Sequence, residues 1–375
     1  MQKFVGFMDF LLAYFGETLA VIGWPDLAYS FLSLFLEGAP YILLGTLISG
    51  FMDVYMPASM LDRVLPKQKV LAILTCGLMG LVLPVCECAV VPVIRRLVAK
   101  GLPVSCAFTY MLAAPILNPV TIWSTWNAFD NYAFTWDIVL ARCAMGYGIS
   151  VFVGIIILFL PVEKVLRKSV LKTVRSHDDK KKQDHAHCSE HSHDEGGCCG
   201  HDHDHDHSHD HTHSHSEPQN DAKVVSAMRS AMRDCVDVGV YFTIGAALAA
   251  MFNMLYVQYQ SQFEMALSSP VAEIGGMMSL AFLLSVCSTS DAFMASAIGF
   301  VSYGAKMAFM VLGPMLDVKL LFLYQTVMTK RFLLWFSVGL FLIVGLVTWG
   351  WGEMFADKIE KASEGIELVS EEVAQ

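Results

Sequence analysis

Long apolar runs separated by short polar stretches dominate the chain, and a helix needs about 20 apolar residues to cross a bilayer. Eight runs reach that length: 27–50, 70–93, 103–127, 138–161, 236–257, 273–300, 305–327 and 332–352. They predict an all-α polytopic membrane protein of about eight transmembrane helices. A further stretch, Phe4 to Gly23, carries Asp9 and Glu17 and reads better as an amphipathic helix on the membrane surface than as a ninth span. No basic region followed by a small-residue cleavage site is seen at the start, so no signal peptide is expected.

Composition agrees, since 55% of the 375 residues are hydrophobic and only 16% are charged, well below the charge of a soluble domain. The polar gap after the fourth run divides the chain. The expected parts are a first membrane half at 1–162, a His-rich loop at 163–225, a second half at 226–352 and an acidic tail at 353–375. Lys and Arg mark the cytoplasmic side of a membrane protein. Lys164, Arg167, Lys168, Lys172, Arg175 and Lys180 to Lys182 gather at the loop, whereas the other side of the preceding run has only Asp130 and Asp137. The loop is therefore expected in the cytoplasm, beneath a bacterial-type inner (plasma) membrane. Arg95, Arg96 and Lys100 fit, while Lys330 and Arg331 argue against it. The net charge of −10 arises mostly in the loop and tail, and nucleic acid is not an expected partner. The ten cysteines read as reduced thiols, not as a disulfide framework.

Each half carries a Cys motif followed by a Pro-containing turn. In the first these are Val85 to Cys88 (VCEC) and Ala113 to Pro119 (AAPILNP); in the second, Val286 to Asp291 (VCSTSD) and Leu312 to Asp317 (LGPMLD). Cys86 aligns with Cys287, and Pro115 and Asn118 with Pro314 and Asp317. Interrupted helices at matched places in two halves point to the central site of a transporter. Four spans per half would make the repeat parallel and an odd number would make it inverted; the sequence leaves both open.

On a continuous helix Cys86 and Cys88 would lie about 200° apart, so one ion reaches both only if the backbone is unwound there. Pro84 and Pro92 favour such a break, and unwound backbone at membrane depth survives only inside protein or beside a cavity. Glu87 between them is an acid within a span, which marks function by default; Glu37, Asp291 and Asp317 share that mark. Cys86, Glu87, Cys88, Asn118, Cys287, Asp291, Asp317 and Glu37 are accordingly the candidate transport residues. Cys76, Cys106, Cys143 and Cys235 read as packing. Arg142, near a span end, reads as a side chain reaching out to the interface.

At these residues the chain resembles the predicted permease family that includes the organoarsenical efflux permeases. The resemblance rests on EGAPYILLGTLISG at Glu37 to Gly50, LPVCECAVVP at Leu83 to Pro92, APILNP at Ala114 to Pro119 and VCSTSDA at Val286 to Ala292. Its His-rich central loop is similar to that of the subgroup regarded as copper/zinc efflux transporters. The resemblance implies eight spans, a cytoplasmic central loop and export from the cell. Glu87 stands where some members have Ser.

All thirteen histidines lie between His177 and His215. His201, His203, His205, His207, His209, His211, His213 and His215 alternate with small or acidic residues, and alternate side chains of an extended chain share one side. His185, His187, His191 and His193, with Cys188, Cys198 and Cys199, extend this ligand array. Imidazole suits zinc, copper and nickel; thiolate selects copper(I) and zinc. Too polar to bury a core, the segment is expected to be a disordered collector of divalent metal. The apolar runs contain no His, which argues against His-ligated zinc importers and cation-diffusion facilitators, and no cytoplasmic stretch is long enough for an ATPase. What remains is no enzyme and needs no resident cofactor: a secondary transporter exporting copper(I) or zinc(II). The alternatives are an organoarsenical efflux permease and a membrane-bound metal sensor or thiol redox protein.

Overall fold

The computed structural model describes residues 24–55, 66, 68–82, 85–130, 134–167, 219–267, 269–299 and 301–374. The stretch Phe4 to Gly23 and the ligand array from His185 to His215 lie outside the described residues. Within them the chain is nearly all helical: α1 (Trp24–Tyr55), α2 (Lys69–Val82), α3 (Glu87–Ala99), α4 (Val104–Ala113), α5 (Pro119–Ala128), α6 (Thr135–Leu158), α7 (Val162–Val165), α8 (Gln219–Ala266), α9 (Pro270–Leu284), α10 (Asp291–Ala297), α11 (Tyr303–Met315), α12 (Val318–Tyr324) and α13 (Lys330–Ala374). Five helical stretches are long and apolar enough to span a membrane. Outward-facing Leu36, Trp123, Leu140, Leu334 and Trp335 leave an apolar exterior of the kind that lipid covers. The stretch Tyr303–Tyr324 is instead enclosed, with 89% of its most apolar window buried.

Helix α8 begins at Gln219, within the segment expected to be loop, and α13 continues as helix through the acidic tail to Ala374. The apolar runs thus fix where a helix is buried, not where it stops.

Contacts at the helix ends give the path of the chain. One crevice of about 340 Å³ is lined by Lys69 at the start of α2, by Gly101, Leu102 and Pro103 between α3 and α4, and by Leu158, Leu160 and Val162 at and beyond the end of α6. Helices α2 and α3 together would be over 40 Å long if collinear. They therefore form a splayed hairpin that enters and leaves at one end of the bundle. At the other end Glu273 near the start of α9 accepts a hydrogen bond from the backbone of Ser302, just before α11, at 2.6 Å. Helices α9 and α10 make the matching hairpin. Two of the eight stretches expected to span, 70–93 and 273–300, thus return to the end they entered.

These hairpins point in opposite directions. Leu166, beyond the end of α6, bridges to Met328 just before α13, while Phe134 at the start of α6 stacks edge-on against Phe355 far along α13 at 5.6 Å. Helices α6 and α13 run antiparallel, so the repeat is inverted. Among the described residues, an odd number of crossings in each half, with one hairpin added, is the physical reason.

Close backbone approaches hold the bundle together, as is usual where helices pack without a hydrophobic drive from water. A Cβ at Gly45 of α1 would lie 2.9 Å from Ala89 Cα of α3, and one at Gly80 of α2 would lie 2.7 Å from Ala114 Cα. Because backbone cannot step aside, Gly45→Ala should push α3 outward and cost about 1–3 kcal/mol. A lowered melting temperature of the purified protein in detergent is the expected result, and an unchanged one would show that α3 yields freely.

Candidate functional site

The two hairpin tips meet at the centre. Cys86 has extended backbone (φ −72°, ψ 166°) and caps α3, leaving Glu87 and Cys88 in its first turn. Val85 and Cys86 are thus both outside the helices. Pro92 sits inside α3 without ending it, and Pro84 lies outside the described residues. The break lets Cys86 and Cys88 line the same pocket together with Glu87, which a continuous helix would have prevented.

In the opposing tip Ser285 ends α9 in the left-handed conformation (φ 52°), a costly position for a residue with a side chain. Its hydroxyl accepts the backbone N–H of Val318 at 3.1 Å and so ties this tip to the start of α12. Cys287 follows in the same pocket, and Ser288 donates to Glu87 Oε2 at 2.9 Å. Ser290, which precedes α10, donates to Glu37 Oε1 of α1 at 3.0 Å. The sequence places these groups 201 and 253 residues apart.

Glu37, Tyr41, Cys86, Glu87, Cys88, Cys287 and Lys319 line one pocket with a free volume of about 10 Å³, room for roughly one water molecule. Among the described residues no three His, Cys, Asp or Glu side chains are gathered closely enough to hold a metal ion as they stand. Asp317 is fully buried and caps α12, its Oδ1 accepting from the backbone of Leu320 at 2.6 Å. It reaches the pocket through Lys319. Asn118 caps α5 in the same manner, accepting from Val120, so the two residues aligned by sequence share a local role; Asn118 is not among those lining the pocket.

Arg142 does not reach the interface. It is 1% exposed, and its guanidinium donates to Asp291 Oδ2 at 2.6 Å, to Thr125 Oγ1 at 2.6 Å and to the Ser288 carbonyl at 3.3 Å. It stands more than a turn inside α6, where a route to headgroups would cross packed protein, and an acid on the second hairpin supplies its charge partner. Ser124 of α5 also donates to the carbonyl of Thr289. A polar chain therefore runs from Glu87 through Ser288 to Arg142 and Asp291. Asp291 Oδ1 and Arg142 Nε along it have no hydrogen-bond partner.

Sequence reasoning missed Lys319 and Tyr41 as pocket residues. A Lys two positions after Asp317, in front of the apolar Leu320 to Leu323, was the available signal. Cys76 and Cys106 are buried in the core on α2 and α4, and Cys143 and Cys235 are half-buried; none of them lines this pocket.

Comparison with known proteins places this architecture. The model of a predicted permease family, ArsP_1, matches residues 26–349. "UPF0718 protein YcgR" of Bacillus subtilis is 32% identical over 303 residues, covering 80% of this chain and 88% of its own. A Streptococcus mutans protein named "Putative two-component membrane permease complex subunit" is 29% identical over 308 residues, covering 82% of this chain and 88% of its own. No solved structure matches. An inverted bundle whose two hairpin tips meet at a buried pocket is architecture suited to moving a solute, and by the extent of these matches the chain belongs to this predicted permease family, which makes it a membrane transporter.

Proposed function

We propose that the protein exports a soft or borderline metal ion, copper(I) or zinc(II), from the cytoplasm through the central pocket. The observation that carries this reading is the meeting of Cys86, Glu87, Cys88 and Cys287 in one pocket enclosed by two hairpin tips. Thiolates select soft cations, and buried carboxylates balance their charge. Rotation of the Cys86 and Cys287 side chains toward Cys88 and Glu87 would gather the ligands, with thiol protons leaving as the metal enters. Proton exchange is therefore the natural coupling. In this reading the metal is cargo.

Orientation follows from charge. Lys69, Arg96, Lys100, Lys164 and Arg167 lie at the end of the bundle that carries the loop. The inverted repeat brings Lys330 and Arg331 there too, since Met328 pairs with Leu166. Lys330 and Arg331 then support, with the others, a cytoplasmic position for the loop-bearing end.

A second reading has its own support. Three thiols line the pocket, and trivalent organoarsenicals bond to thiols, so Cys86, Cys88 and Cys287 would also suit an arsenical. Accumulation of zinc, copper(I) and a trivalent methylarsenical in everted membrane vesicles separates the two. Movement of either metal is expected; movement of the arsenical with neither metal would replace the first reading by the second.

The His-rich segment serves as a collector that raises metal concentration at the cytoplasmic mouth. Deleting His185 to His215 should leave transport at saturating metal intact and raise the half-saturating concentration about ten-fold. Imidazoles protonate with a pKa near 6.5 and a protonated imidazole cannot bind metal, so the difference between full and deleted protein should vanish below about pH 6. Metal flux measured against free metal at pH 7.5 and 5.5 checks both points. Complete loss of flux at high metal in a correctly inserted deletion protein would make the segment part of the pathway.

A further inference from the structure

Lys319 is the one basic side chain among those lining the central pocket. It is 3% exposed, and a cation at such depth is costly unless it is paired or functional. Its pairing is loose. The ammonium stands 3.8 Å from Asp317 Oδ2, too far for a hydrogen bond, and that oxygen has no hydrogen-bond partner. Asp317 spends its other oxygen on the cap of α12 and is thereby fixed.

The backbone of Lys319 is fixed as well, because Gly245 of α8 packs directly on it: a Cβ there would lie 2.7 Å from Lys319 Cα. A flexible four-carbon stem thus carries a point charge from an immobile base into a space shared with Glu37, Glu87, Cys86, Cys88 and Cys287. A lysine kept only as a counter-ion for Asp317 would be expected at hydrogen-bond distance. This one is held where it can serve either Asp317 or the pocket acids.

We propose that the Lys319 ammonium is the resident cation of the empty pocket and exchanges with the exported ion, the two competing for Glu87 and Asp317. Arrival of the metal displaces the ammonium from the pocket acids, and its return drives the metal off the carboxylate on the far side. The exchange rests on the export reading of the pocket. It gives Lys319 a positioning role in substrate release, and it lets the empty carrier return with its buried acids compensated.

The test uses the full-length protein and reads the pocket alone, avoiding metal held by the His-rich segment. Alkylation of Cys86, followed by mass spectrometry of its peptide, is measured against free zinc(II) and copper(I) in wild type, Lys319→Met and Lys319→Arg. Metal should protect Cys86 at about ten-fold lower concentration or less in Lys319→Met, since one unit of opposing charge at close range is gone. Lys319→Arg should stay close to wild type. Flux through Lys319→Met should fall about ten-fold because release is slowed. Lys319→Gln carries the same expectation should Lys319→Met fail to give a monodisperse protein. Protection at unchanged or higher metal concentration in the neutral variants, or none in any variant, overturns the exchange. Tighter protection in Lys319→Met with no metal carried by wild type sinks the export reading alone. Metal carried by wild type with unchanged protection in the variants sinks the exchange alone.

Discussion

Replacing Arg142 by Met should destabilise the protein by about 3–5 kcal/mol, the usual cost of breaking a buried ion pair from one side. Asp291, 1% exposed, would be left with no guanidinium beside it, and its Oδ1 already has no hydrogen-bond partner. Thr125 and the carbonyl of Ser288 lose their donor in the same step. Removing both charges is a different matter, because a neutral apolar pair avoids the desolvation that the ion pair must offset. The double variant Arg142→Met with Asp291→Leu should therefore recover much of the stability lost in Arg142→Met. Melting temperatures of the purified variants in one detergent, with the two single substitutions and the double one, give the coupling directly. Losses that simply add would mean that the 2.6 Å contact carries no energy. Transport should stay impaired in the double variant, since Ser288 then loses the donor on its carbonyl while its hydroxyl still has to hold Glu87.

The largest functional effect is expected at the first hairpin tip. Glu87→Gln removes the buried carboxylate that balances the cargo while keeping the acceptor for Ser288, so its shape and insertion should be preserved. One unit of charge at contact range is worth several kcal/mol even at a generous effective dielectric constant. Metal resistance conferred by Glu87→Gln should accordingly fall to the level of cells lacking the protein, with half-saturating metal raised on the order of 100-fold. Cys86→Ala and Cys88→Ala remove soft ligands and should have similar effects. Growth at graded zinc and copper, beside membrane abundance of each variant, checks this. Wild-type resistance in a well-expressed variant lacking both thiols would reduce them to packing.

Much of this site is legible in the chain because the chemistry is local. Pro, Cys and an acid crowded into an apolar run point to a broken helix, and Asn118 and Asp317, aligned by their matched spacing, share a local role as helix caps. Direction is not local. Helices α2 and α3, of 14 and 13 residues, have the length and hydropathy of one tilted crossing as readily as those of a hairpin, and only the shared crevice at their outer ends distinguishes the two. The choice between parallel and inverted repeats hangs on that distinction. Arg142 and Asp291 lie 149 residues apart, so neither charge announces its partner, and an arginine near the end of an apolar run ordinarily reaches for water. Lys319 was masked by its neighbours: beside Asp317 it resembles half of a surface ion pair, and the apolar residues after it carry the helix inward.

On the proposed export reading, metal crosses the membrane through the pocket of Cys86, Glu87 and Cys88. Uptake of radioactive zinc or copper(I) into proteoliposomes holding purified full-length protein, wild type beside Glu87→Gln, tests it most directly. Wild-type protein should fill the vesicles with metal and alkalinise the lumen in step with it, as exchange for protons requires, while Glu87→Gln at equal incorporation should stay near the level of empty liposomes. Equal uptake by the two proteins would contradict the account, and so would wild-type vesicles that take up neither metal.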